Sequence, residues 1–130
     1  MSNGYFDLHP KRMKELEGFC EQYKDWELRA NCADSFSKMP QEQINKMKRE
    51  HGDPVVKAAM EREYWTNKMD MVRRCCYEAG PSAIACVIFE AVTNGLSYEK
   101  LSARMTVPCG RRQFYEARKR FFWALNCQRG

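Results

Sequence analysis

The feature that most constrains the fold of this chain is a long run of helix-forming residues between two helix breaks, Asp53-Pro54 and Gly80-Pro81. An Asp side chain can cap the first N–H groups of a helix, and a proline directly after it fits the first helical turn. Glycine followed by proline is typical of a helix end. The run therefore predicts one helix of about 25 residues, which is long for a globular protein.

The apolar residues of this predicted helix form two stripes at helical spacing. The first stripe contains Ala58, Trp65, Met69, Val72 and Cys76, and the second contains Met60, Tyr64, Met71 and Cys75. A helix with two apolar stripes packs against two neighbours at once. We therefore predict an all-α fold, a helical bundle around this long central helix, with N-terminal helices on one side and a C-terminal module on the other.

Shorter amphipathic segments precede the long helix. One helix is expected to begin at Pro10, because proline suits a first helical turn. Asp25 is expected to cap a second helix, whose apolar residues include Leu28 and Phe36. A third short helix is expected to end at Gly52.

Helix signals continue after the long helix. Ser82 can cap a helix that ends near Gly95, and Ser97 can cap a short helix after it. Pro108 keeps the residue before it out of the α-helical region, so a turn must follow. The last helix is then expected to span about 110–127, with Phe114, Ala117, Phe121 and Leu125 on its inward face.

The charge of the chain is concentrated near its C-terminus. Overall there are 22 Lys and Arg against 17 Asp and Glu, a net charge of +5. Residues 1–80 contain 14 of each sign, whereas residues 81–130 contain eight basic and three acidic residues. We therefore expect an N-terminal helical region, 1–80, and a basic module, 81–130. A local basic excess is typical of a surface that binds an anionic partner.

Several classes of protein are not expected from this sequence. No apolar run reaches the roughly 18 residues of a transmembrane helix, and the N-terminus lacks the pattern of a secretory signal. The seven cysteines form no C-x-x-C pair, and His9 and His51 have no cysteine at a ligand spacing, so neither a metal nor another cofactor is expected. Reduced cysteines indicate the cytoplasm, and the sequence contains no catalytic motif that would indicate an enzyme.

Residues 84–126 resemble the helix-turn-helix of bacterial and phage regulators, including region 4 of sigma factors. The resemblance rests on the run IFEAVTNGLSYEKLSARMTVPCGRRQFYEARKRFFWAL. In it, G-x-S-Y-x-x-L leads into the supporting helix, and R-x-F-Y-x-x-R-x-x-F is similar to a recognition helix. The run also resembles prophage late-transcription regulators of the ArpU family. The turn here is longer by about two residues, through Pro108 and Cys109, so the recognition helix is expected to start near Gly110.

This resemblance implies sequence-specific binding of double-stranded DNA by a phage or prophage transcriptional regulator, with a homodimer reading two half-sites. Arg111, Arg112 and Gln113 would occupy the first turn of the recognition helix, where side chains meet base edges. The other expected DNA-binding residues, which would contact phosphates, are Tyr115, Arg118, Lys119, Ser97, Tyr98 and Lys100.

Other interpretations of the same residues stay open at this point. Arg118, Lys119 and Arg120 also fit an ordinary solvated helix face, and Phe122 and Trp123 fit packing on the long helix or on a dimer mate. The alternative function is a phage-encoded protein that binds and inhibits a host protein, such as a nucleic-acid-dependent defence nuclease. The basic module favours DNA, because a protein that mimics DNA is acidic.

Overall fold

The computed structural model describes residues 7–34 and 40–130, except for the side chains of Asp34 and His51. Over these residues the chain forms α-helices and turns with no β-strand, which confirms the predicted all-α class. In the same residues, no helix combines the length and the apolar character that a membrane crossing requires. The helices in chain order are α1 (Pro10–Glu21), α2 (Tyr23–Asp34), α3 (Gln41–His51), α4 (Pro54–Ala79), α5 (Ser82–Asn94), α6 (Tyr98–Arg104) and α7 (Arg111–Arg129).

Contacts within the chain define two compact units. The first unit consists of Met1–Tyr23 and Asp70–Gly130, and the second consists of Lys24–Met69. The chain passes from one unit to the other between the first two residues of α2, and again inside α4. The basic residues near the C-terminus therefore belong to the same unit as α1.

The predicted long helix is present as α4, which contains 26 residues. Asp53 caps it as expected, because its Oδ1 accepts hydrogen bonds from the N–H groups of Val55 at 3.0 Å and Val56 at 3.4 Å. Most of the first predicted apolar stripe is buried, namely Ala58, Met69, Val72 and Cys76.

The second predicted stripe of α4 is only partly buried. Cys75 is fully buried, but Met60 and Tyr64 are 66% and 54% exposed. The expectation that Met60 and Tyr64 pack in a core is therefore wrong. The physical reason is that α2 and α3 carry few large apolar side chains that could cover them, and one of these, Leu28, is itself exposed.

In the second unit, the largest fully buried side chain is Trp26. Helix α2 begins two residues before the predicted cap, so Asp25 lies in its first turn and bonds Arg29 at 2.8 Å. Leu28, one of the apolar residues of this helix, is 64% exposed. It lies two residues after the buried Trp26, and residues two apart on a helix point in different directions. Phe36, the other apolar residue named for this helix, lies outside the described residues.

In the first unit, α5 is the central helix, and α1, α6 and α7 all pack against it. Ile88 of α5 is fully buried, and the ring of Phe89 meets that of Tyr23 edge to face at 4.9 Å. The predicted inward face of α7 is confirmed, because Phe114, Ala117, Phe121 and Leu125 are all buried. Helices α5, α6 and α7 therefore pack around a common apolar interior.

The ends of α5 and α6 largely follow their sequence signals. Gly95 ends α5 in the left-handed region, at φ 63°, and Ser97 caps α6 by accepting from Lys100 N–H at 3.3 Å. Ser82, however, is the first helical residue of α5 and not its cap. The N–H of Ala85 bonds the Pro81 carbonyl at 2.8 Å, so the helical ladder starts one residue earlier than predicted.

Candidate nucleic-acid interface

The N-terminus of α7 is open on the surface of the first unit. Gly110 occupies the cap position in an extended conformation, and no side chain in the described part of the chain caps it. The first bond of the helical ladder joins Phe114 N–H to the Gly110 carbonyl at 3.0 Å, so the three preceding N–H groups lie outside the ladder. A Cβ atom at Gly110 would have nothing within 4 Å, which leaves the approach to this helix end unobstructed.

Three side chains predicted to read bases surround this helix end. Arg111 and Arg112 have side chains 68% and 91% exposed, and Gln113 is exposed beside them. The first turn contains no acidic residue. Two cations at the positive end of a helix dipole oppose the stability of the helix, whereas an anion placed there is favoured.

The short helix α6 is fixed against α7 by an aromatic cluster. The Tyr98 hydroxyl donates to the Cys109 carbonyl at 3.0 Å, and the Tyr98 N–H donates to the Tyr115 hydroxyl at 3.2 Å. The Tyr98 ring also meets the buried Phe114 ring edge to face at 5.6 Å. These contacts hold both the start of α6 and the connection that leads into α7. Tyr98 and Tyr115 therefore have positions set by the protein interior.

Each of the two exposed arginines is already paired with a carboxylate. Arg111 Nη1 bonds Glu99 Oε1 across the connection from α6 to α7. Arg112 Nε bonds Glu116 Oε1 at 3.2 Å, one turn further along α7. Both pairs are exposed, and such pairs contribute only about 0–1 kcal/mol to stability. They can therefore be exchanged for a stronger anionic partner at little cost.

Two basic residues further along α7, Arg118 and Lys119, bond acidic residues near the N-terminus of the chain instead. Arg118 Nη2 bonds Glu17 Oε2 at 2.8 Å, and its guanidinium lies 4.7 Å from the Phe122 ring. Its side chain is only 25% exposed. Lys119 Nζ bonds Asp7 Oδ1 at 2.9 Å. The structure thus separates these two residues from the group at the start of α7.

The remaining predicted residues lie at the start of α6. The Ser97 hydroxyl is used as the helix cap, and Lys100 is exposed three residues later. Arg104, at the end of the same helix, is 52% exposed and lies 4.0 Å from Glu90. Helix α6, which carries Lys100, packs on α7, which begins with Arg111 and Arg112.

Glu99 is the residue of this region that the sequence interpretation missed. It lies two residues after Ser97, one residue short of the position that a capping box requires, so the local sequence assigns it no role. The opposite charges of Glu99 and Arg111 are visible in the sequence, but pairing across 12 positions depends on how α6 packs on α7. Within the described residues, no group of three or more His, Cys, Asp or Glu side chains is arranged to hold a metal ion.

Neither a protein-family model, nor a curated protein, nor a solved structure matches this chain.

Proposed function

We propose that α5, α6 and α7 form a helix-turn-helix that binds double-stranded DNA, and that the protein is a transcriptional regulator. In this proposal α6 is the supporting helix and the start of α7 enters the major groove. The observation that carries the proposal is the exposure of Arg111, Arg112 and Gln113 around a helix N-terminus that no described side chain caps.

The chemistry of these three side chains suits base edges. An arginine guanidinium can donate two hydrogen bonds to O6 and N7 of guanine, and a glutamine amide can bond N6 and N7 of adenine. Lys100 is exposed on the neighbouring helix and is suited to a backbone phosphate. The N–H groups at the start of α7 are suited to a phosphate as well.

Four residues that the sequence predicts to contact DNA have a different or additional role in this proposal. Tyr98 and Tyr115 position α6 on α7, and Arg118 joins α7 to α1 through Glu17. Lys119 bonds Asp7 and is 42% exposed. The proposal therefore assigns base contacts to the first turn of α7 and leaves these four as positioning residues.

The test is a fluorescence-anisotropy titration of the full chain against two labelled duplexes. One duplex carries the sequence upstream of the protein's own gene, and the other is a scrambled duplex of equal composition. With salt raised from about 50 to about 200 mM, binding should weaken steeply, because each neutralised phosphate releases counterions. The variants are Arg111→Ala and Arg112→Ala. A variant that removes a base contact should relax the preference for one duplex over the other. A variant that removes a phosphate contact should instead lower the slope of log affinity against log salt by about 1.

The matched control is Arg29→Ala, which removes an exposed arginine paired with Asp25 in the second unit. This variant should bind both duplexes like the unmodified protein. Absence of binding to either duplex at low salt would contradict the proposed function. Equal losses from Arg29→Ala and Arg111→Ala would show that only overall charge matters.

A further inference from the structure

The N-terminal half of α4 carries an exposed apolar ridge. Val56, Met60 and Tyr64 follow one another at intervals of four residues, so their side chains lie along one ridge of the helix. They are 52%, 66% and 54% exposed. All three belong to the second unit.

The ridge contains three of the exposed large apolar side chains in the described part of the second unit. Five of the seven large apolar side chains that are exposed within residues 7–34 and 40–130 lie in that unit. They are Leu28, Val55, Val56, Met60 and Tyr64. A small unit gains stability from association, because it buries a small fraction of its own surface. A partner that covered the ridge would therefore add substantially to the apolar area the unit buries.

We propose that a second copy of this chain covers the ridge, so that α4 packs on α4 in a homodimer. In an antiparallel pair of α4 helices, a two-fold axis brings the same ridge of both copies together. A two-fold axis at Met60 places Val56 of one copy opposite Tyr64 of the other. The contact between Val56 and Tyr64 then forms twice, once on each side of the axis, as an isologous interface requires.

The charges around the ridge also fit a second copy. The charged residues that flank the ridge, within about 100° of Met60 around the helix, are Lys57, Glu61, Glu63 and Lys68, two of each sign. A surface with balanced charges complements itself, whereas a polyanion such as nucleic acid gains nothing from it. Lys57 and Glu61 lie one turn apart on the same edge, so the two-fold axis brings each Lys57 toward the Glu61 of the other copy.

This inference goes beyond the proposed function, because it rests on the second unit and its measurement needs no DNA. The first experiment is sedimentation equilibrium of the full chain over a range of concentrations. The unmodified chain should approach the mass of a dimer, and Met60→Glu should shift it to the mass of a monomer. Glutamate is a good helix former at an exposed site, so circular dichroism should be unchanged.

The matched control is Tyr77→Glu, which places the same charge at an equally exposed apolar residue of α4 in the first unit. This variant should remain a dimer. A monomeric unmodified chain at every concentration would overturn the proposal and leave the ridge to a different partner. A dimer that Met60→Glu does not weaken would overturn it as well.

A second experiment places the axis itself. With the exposed Cys32, Cys86 and Cys127 replaced by serine, Met60→Cys should form an intermolecular disulfide rapidly under mild oxidation. Val55→Cys should not, because position 55 lies about 140° around the helix from position 60. Equal cross-linking at both positions would contradict the proposed axis.

Discussion

At the scale of single residues, the start of α7 differs from its middle in the partners of its basic side chains. Arg111 and Arg112 are paired with carboxylates of the neighbouring turn or helix, at exposed positions. Arg118 is held by Glu17 and the Phe122 ring with little exposure. The sequence places Arg111 and Arg112 in the first turn of α7, ahead of its first inward residue, Phe114. It cannot predict the pairing of Arg118, because Glu17 is 101 positions away.

The pair between Glu99 and Arg111 leads to a prediction about DNA affinity. In the proposed complex the Glu99 carboxylate competes with phosphate for Arg111 and repels the DNA backbone. Glu99→Gln should therefore raise the affinity for both duplexes roughly 2- to 5-fold, which matches the 0.4–1 kcal/mol scale of an exposed pair. The measurement is the same anisotropy titration at low salt. The control is Asp25→Asn, which opens the exposed pair with Arg29 and should leave affinity unchanged.

Weaker binding by Glu99→Gln would contradict this account. It would mean that Glu99 itself contacts the DNA, for example by accepting from N4 of cytosine, or that it holds Arg111 in a binding geometry.

At the scale of elements, helix ends were predictable where a cap residue stands directly before a helical run. Asp53, Ser97 and Gly95 behave as their sequence signals predict. Asp25 and Ser82 carry the same cap chemistry but lie inside their helices. The helical ladder there begins earlier in the chain, so those residues do not occupy the cap position. Such a shift depends on packing and is not visible in local sequence.

The packing of α1 on α7 leads to a prediction about stability. Arg118→Ala removes a largely buried guanidinium that bonds Glu17 and lies over Phe122, so the free energy of unfolding should fall by about 1–2 kcal/mol. Arg112→Ala, at a side chain 91% exposed, should change it by less than about 0.5 kcal/mol. Urea denaturation followed by circular dichroism measures both. Equal effects would contradict the positioning role given to Arg118.

At the scale of the whole molecule, the cysteines fall into distinct environments. Cys20, Cys75 and Cys76 are buried, whereas Cys32, Cys86 and Cys127 are exposed. Burial raises the pKa of Cys75 to about 11 and that of Cys76 to about 12. It also raises the pKa of Cys20. The sequence shows seven cysteines without a metal-binding spacing, but which of them are buried depends on the helices packed around each one.

These environments predict the reactivity of the thiols. An aromatic disulfide reagent near pH 8 should modify Cys32, Cys86 and Cys127 quickly, and the three buried thiols only as the protein unfolds. Mass spectrometry of digested samples identifies each modified position. Rapid modification of Cys20 in the native protein would contradict the burial described above.

The raised pKa values also set the direction of a pH effect. The unfolded chain loses these protons above the ordinary thiol pKa of 9.0, whereas the folded protein keeps them to a higher pH. The folded state then binds more protons, so the contribution of Cys75 and Cys76 to stability falls as pH rises above 9.0.

The two passages of the chain between its compact units have a consequence for how such a protein can evolve. The first passage lies at the first residue of α2, and the second lies inside α4. A gene exchange that joined one unit to a foreign partner at the second passage would interrupt a hydrogen-bonded helix of 26 residues. The two units are therefore expected to be inherited together.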